Sequence, residues 1–169
     1  MKTSNLVRAA ILLALGTVLH LVVPGFINGM KPDFLLVTMF IAIYLTDDFK
    51  STVVIGIASG ILAGATTTFP GGQLPSVLDK VISAISFYVF YKILFNKFKN
   101  IKIGIVLNTM INTLVSGIVF LLSVKYLVGM NIPNGINLLL LTVVLPTTII
   151  NGVFSYVFTK VISNYKKFL

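Results

Sequence analysis

The chain contains no cysteine and no tryptophan, and its acidic residues are four aspartates with no glutamate; His20 is the one histidine in 169 residues. Without cysteine there can be no disulfide, thiolate nucleophile or cysteine-ligated metal, and the redox compartment leaves no trace. One histidine and four scattered aspartates are too few for a protein-built zinc site or a multi-carboxylate catalytic centre, so no metal or other cofactor is expected. No Gly-x-x-x-x-Gly-Lys-Ser/Thr phosphate loop occurs, which excludes ATP hydrolysis by that route. Charged residues make up only 10% of the chain, and they are unbalanced, with 13 Lys and Arg giving a formal charge of +9. In a soluble protein that excess would suggest nucleic acid; in an apolar chain the positive-inside rule is the simpler cause, and nucleic acid is not expected as a partner.

What fills the chain is apolar. Hydrophobic residues reach 57% and the mean hydropathy is +1.03, and several runs approach the roughly 20 residues needed to cross a bilayer. The pattern predicts an all-α integral membrane protein, one domain over residues 1–169, with helices at roughly 5–23, 32–46, 51–66, 75–95, 103–127 and 136–163. The second run is short and reads as a partial or tilted span. With a cytoplasmic N-terminus, Lys2, Arg8, Lys50, Lys92, Lys97, Lys99, Lys102, Lys160, Lys166 and Lys167 fall on the inner side. Only Lys31 and Lys125 fall outside, with Lys80 embedded. This asymmetry predicts cytoplasmic N- and C-termini in a multi-pass protein of a cell membrane.

Five of the six prolines, Pro24, Pro32, Pro70, Pro75 and Pro133, fall in the outer loops with a set of glycines, a composition suited to compact turns or a lid. The sixth, Pro146, lies inside the last span and predicts a kink with a freed carbonyl near Thr142. Gly56, Gly60 and Gly64 repeat every fourth residue, a smooth stripe for close helix packing. In the first span Ala10 and Ala14 form a small-xxx-small pair, extended by Ala9 and Gly16.

The polar residues sort by depth. Asp79 and Lys80 lie about one turn inside the outer end of the fourth span, level with His20, the Thr66–Thr68 run and the start of the sixth span. An intramembrane charge costs about 2.5–3.5 kcal/mol even on the lenient insertion scale, so the pair marks a functional site. Asn108, Asn112 and Ser116 share a face at every fourth residue, and with Asn151 they start from the inner half; the asparagines read mainly as interhelical hydrogen-bond glue. Neighbouring residues on a helix point about 100° apart, so Asp79 and Lys80 are expected to find different partners. That arrangement suits a zwitterion, its carboxylate on Lys80, its ammonium on Asp79, and Ser83 one turn deeper as an auxiliary hydrogen bonder. The alternative is internal pairing, Asp79 with Lys31 and Lys80 with Asp33.

The block Thr66-Thr67-Thr68-Phe69-Pro70-Gly71-Gly72-Gln73-Leu74-Pro75, leading into Asp79-Lys80 and Ser83-Ala84, resembles the TrpP-type tryptophan transport proteins. The resemblance includes Gly29-Met30-Lys31-Pro32-Asp33 upstream, and Ser116 to Leu121 and Val144-Leu145-Pro146 downstream. It implies a fold like that of the substrate-binding S components of energy-coupling-factor transporters: six helices, with an outward-opening site beneath the first and third outer loops. It further implies L-tryptophan as substrate, and an energy-coupling transmembrane subunit with ATPases as partners, docked through Ala10 and Ala14. An indole pocket could be lined by Phe69, Phe26 and Phe87, with Thr67 and His20 at the same level and Gln73 or Asn28 accepting the indole N–H. Burying such a ring offers roughly 4–6 kcal/mol, while micromolar affinity needs about 8 kcal/mol, so the charged ends must be recognised too. The alternatives are a solitary ion-coupled transporter of tryptophan or another small aromatic molecule, and an S component for a vitamin. An intramembrane Ser–His enzyme is not expected, because Ser59-Gly60 lies a membrane's depth away from His20.

Overall fold

A computed structural model of the chain describes residues 3–24, 33–95, 98, 100–130 and 135–165. Six helices stand where hydropathy placed six spans: α1 Thr3–Val22, α2 Phe34–Thr46, α3 Phe49–Thr66, α4 Gln73–Phe95, α5 and α6. α5 runs over Ile101–Ser123 and continues through a π-helical turn, Val124–Val128. α6 begins at Gly135–Leu139, passes through a second π turn, Leu140–Val144, and continues as Leu145–Tyr165. Among the described residues there is no strand.

The aspartates punctuate this pattern. Asp33 caps α2, accepting from the Leu36 amide at 2.9 Å. Asp47 ends α2 in the left-handed conformation, φ 48°, with its N–H returned to the Ile43 carbonyl, and Asp48 caps α3 through the Ser51 amide and hydroxyl at 2.9 and 2.8 Å. Asp79 alone sits inside a helix. Each cap meets one of the backbone donors that a helix start leaves unpaired.

α2 is the centre of the bundle. Eleven of its thirteen residues are buried, and it touches each of the other five helices. Because it meets protein on all sides, its sequence shows no polar face. At 1.5 Å per residue it is about 20 Å long, short of the roughly 30 Å hydrocarbon layer. α1, α3, α5 and α6 are each long and apolar enough to cross a membrane; α4 has the length but carries Asp79, Lys80 and Lys92.

Around α2, the broadest contacts are α3 on α4, α4 on α5, α1 on α2 and α5 on α6. The glycine stripe is spent inside the bundle: an added Cβ would meet the Ala84 Cβ at 2.8 Å from Gly56, the Val77 Cα at 2.9 Å from Gly60 and the Gln73 carbonyl at 2.9 Å from Gly64. Of the small residues in α1, Ala9 and Gly16 face the core, Gly16 against Leu35 and Thr38. Ala10 and Ala14 instead lie on the exposed face with Val7, Ile11, Leu15 and Val18. The extension of the alanine pair by Ala9 and Gly16 is therefore corrected: the four point to two sides of α1.

The asparagines behave largely as glue. Asn108 donates to the Phe87 carbonyl at 3.0 Å, joining α5 to α4. Asn151 donates to Thr113 Oγ1 at 3.3 Å, and Thr109 and Ser155 share a hydrogen bond of 3.0 Å, joining α6 to α5. Such bonds are worth about 0.6 kcal/mol each in membrane helices. The irregularity demanded by Pro146 takes the form of the π turn just ahead of it, which absorbs the missing donor within a continuous helix.

Candidate substrate site

All six helices contribute to one cavity of about 640 Å³, part of it open to solvent, at the end of the bundle that the lysine distribution assigns to the outside. α4 supplies Ser76, Asp79 and Lys80, three residues whose spacing places them along one side of the helix. α2 supplies Asp33 and Leu36, its N-terminal turn, so the short central helix ends at the wall of the cavity. α1 contributes His20; Thr67, Thr68 and Phe69 enter from the loop after α3. α5 adds Thr113, Ser116 and Phe120, and α6 adds Val143, Val144 and Thr147 from the π turn and the residues after it.

The charges form a chain. Lys80 Nζ lies 2.5 Å from Asp33 Oδ2 and 2.9 Å from Asp79 Oδ1, and Asp33 Oδ1 lies 3.5 Å from His20 Nδ1. Ser116 reaches the Asp79 carboxylate from α5. Lys80 is 1% exposed and Asp79 3%, so both ions have left water and depend on each other and on Asp33. Two carboxylates share one ammonium, which leaves one negative charge in excess when both are ionised and His20 is neutral. The opposite wall is apolar: Phe69 and Phe120 meet edge to face at 5.4 Å between ring centres, backed by Leu121, Val124, Leu139, Val143 and Val144. A charged floor beneath an aromatic wall suits an amphipathic molecule with an ionic head and an apolar body.

Of the residues singled out from the sequence, Asp79, Lys80, His20, Thr67 and Phe69 meet in this cavity. The expectation that Asp79 and Lys80 must find different partners is corrected: the four-carbon lysine stem curls back and bridges its neighbour and Asp33 together. The expected alternative pairing of Lys80 with Asp33 is present, while Lys31, Asn28 and Phe26 lie outside the described residues. Ser83 is fully buried one turn below the cavity rather than lining it. Gln73 is exposed at the start of α4, where its backbone packs on Gly64. Phe87 is corrected likewise, stacked on Phe40 at 4.4 Å in the core away from the cavity. Ser76 and Phe120 were not singled out as site residues, although Ser76 stands three and four residues before the charged pair and so shares its face. Ser116, which shares a face with Asn108 and Asn112, belongs to the cavity.

A partly open polar and aromatic cavity within an apolar six-helix bundle is the architecture expected of a membrane transport protein. The sequence profile of the tryptophan transporter family TrpP matches residues 2–167, and the chain belongs to that family. It is thus a multi-pass membrane protein of a transporter family rather than an enzyme. A probable tryptophan transport protein of Bacillus subtilis is 42% identical over 153 residues, covering 90% of this chain and 87% of that one. Proteins given the same description in Clostridium acetobutylicum and Clostridium perfringens are each 40% identical, over 153 and 163 residues, covering 90% of this chain and 88% and 87% of theirs. No solved structure is significantly similar to the chain.

Proposed function

We propose that this chain is the substrate-binding membrane subunit for tryptophan uptake, that its cavity holds L-tryptophan, and that a separate ATPase module energises it through a transmembrane coupling subunit. The observation that carries this reading is the division of the cavity into an ionic floor, Asp33, Lys80 and Asp79, and an aromatic wall, Phe69 and Phe120. The ammonium of the amino acid takes up the excess negative charge between Asp33 and Asp79. Its carboxylate accepts a hydrogen bond from the Lys80 ammonium, which has three N–H donors, assisted by Ser76 or Thr67. The indole then lies against Phe69 and Phe120, where ring contacts add about 0.5–1.5 kcal/mol beyond burial. Support for an external energy source comes from the missing phosphate loop, and for a docked partner from the exposure of Ala10 and Ala14 on α1.

Titration of L-tryptophan into the purified protein tests the reading through the ligand's own indole fluorescence, for which the tryptophan-free chain gives little background. Saturable binding, weakened tenfold or more by both Asp79→Asn and Lys80→Gln, is the expected result; absence of binding by folded protein rejects it. A second reading, a solitary ion-coupled transporter, is favoured by the contact of His20 with Asp33 beside two further ionisable groups. Uptake by liposomes containing this chain alone would select it.

A further inference from the structure

α4 and α5 run antiparallel, and residues one turn apart pair off along them in order. Phe87 meets Asn108 through a hydrogen bond, and two turns toward the cavity Asp79 meets Ser116. The rung between these is set by register: Ser83, four residues from each of Phe87 and Asp79, opposite Asn112, four residues from each of Asn108 and Ser116. Ser83 and Asn112 are both fully buried. Neither the Ser83 hydroxyl nor Asn112 Oδ1 has a hydrogen-bond partner. The Asn112 amide nitrogen is already committed, to the carbonyl and Oδ1 of Asn108 at 2.9 and 2.7 Å. An unpaired buried amide oxygen and hydroxyl together cost several kcal/mol in an apolar interior unless something satisfies them.

We propose that Asp79, Ser83, Asn112 and Ser116 form a binding site for a sodium ion between α4 and α5, directly beneath the substrate cavity. The donors are all oxygens, one carboxylate, two hydroxyls and one amide, the hard set that suits an alkali or alkaline-earth ion over a transition metal. A single carboxylate fits a monovalent ion, because divalent sites gather more anionic ligands. Charge points the same way: with His20 neutral and Asp79 ionised, Asp33 and Asp79 together exceed Lys80 by one negative charge in a place removed from water. A water molecule would satisfy the two orphaned oxygens and leave that charge standing; a cation does both. Because the ion shares Asp79 with the substrate's ammonium, its occupancy and tryptophan affinity are linked, and linkage of this kind is reciprocal.

The test is made without tryptophan, so that it stands apart from the substrate reading. Purified protein is melted in sodium chloride replaced stepwise by choline chloride at fixed pH and ionic strength. A ligand that binds only the folded state raises the melting temperature in a saturable way, and that is the expected result for the native chain. Ser83→Ala, which removes no hydrogen bond, should fold and need at least tenfold more sodium for the same shift; Asn112→Leu, which also gives up the two donations to Asn108, should melt lower and lose the sodium response to the same degree. Melting temperatures that ignore sodium, or a sodium response kept in full by the folded Ser83→Ala protein, would overturn the proposal. So would stabilisation by protons alone, seen as a shift with pH and none with sodium.

Discussion

Lys80 on α4 and Asp33 at the head of α2 are 2.5 Å apart, so the residue that caps the central helix is also the counter-ion of the buried lysine. Folding and binding are thereby joined in one carboxylate. Replacing Asp33 by Ala removes both roles, whereas Asn keeps the cap and gives up the charge. Breaking a buried pair from one side costs about 3–5 kcal/mol, lessened here because Asp79 still holds Lys80. Asp33→Ala should melt lower than Asp33→Asn by the worth of the cap, about 1 kcal/mol, while both weaken tryptophan binding. Thermal melts and fluorescence titrations of the two variants check this.

The two phenylalanines Phe87 and Phe120 should separate stability from binding. Phe87 is fully buried against Phe40, and truncation to Ala should cost about 3–5 kcal/mol of stability. Phe120 lines the cavity. Its truncation should cost less stability and reduce tryptophan affinity by about tenfold, 1.4 kcal/mol. Equal effects of both on binding would remove the aromatic wall from the account.

Gly60→Ala tests the α3–α4 seam. The new methyl would lie 2.9 Å from Val77 Cα and 3.1 Å from its carbonyl oxygen, backbone atoms that cannot rotate away. Overpacking of this kind costs about 1–3 kcal/mol, and a lowered melting temperature in detergent is the expected reading.

Ala10→Phe with Ala14→Phe places two large rings on the exposed face of α1. The melting temperature and tryptophan binding of the isolated chain should be unchanged. Uptake in cells that supply the coupling module should fall if that face docks a partner; unchanged uptake would argue against docking there.

The cap of α3 has a pH signature. The amide and hydroxyl of Ser51 hold the Asp48 carboxyl below its ordinary value. A depressed folded value means the cap stabilises above the unfolded carboxylate pKa, about 3.9, and its contribution fades as pH falls through the lower folded value. Asp48→Ala should therefore melt below the native chain at pH 7, and the gap should narrow as the pH is lowered beneath about 4.

Much of this architecture was legible because membrane insertion writes it in composition: long apolar runs and a lysine bias say where helices lie. Asp79 and Lys80 stood out for the same reason, as charges that lipid would reject. Partners were harder to read. The 100° between neighbours on a helix describes where side chains leave the backbone, and lysine is long enough to cancel it, so the bridge from Lys80 to Asp79 was missed. Asp33 was legible as an internal partner of Lys80 but not as a wall of the cavity, because the sequence does not show that the head of α2 ends there. Ser83 and Phe87 share the face of Asp79 by spacing, yet the cavity ends above them, a depth set by the packing of Phe40 on Phe87 that no local pattern encodes.

The short α2 and the charged α4 each follow a helix that is long and apolar enough to stay in lipid unaided, α1 and α3. A ribosome feeding this chain to the insertion machinery delivers a self-sufficient segment and then a dependent one, twice over. Each dependent segment must be held beside the membrane until its hairpin partner and the later helices arrive. The residues that make the cavity polar are the same ones that make α4 a poor membrane segment, so the transporter's affinity is set against the yield of its own biogenesis.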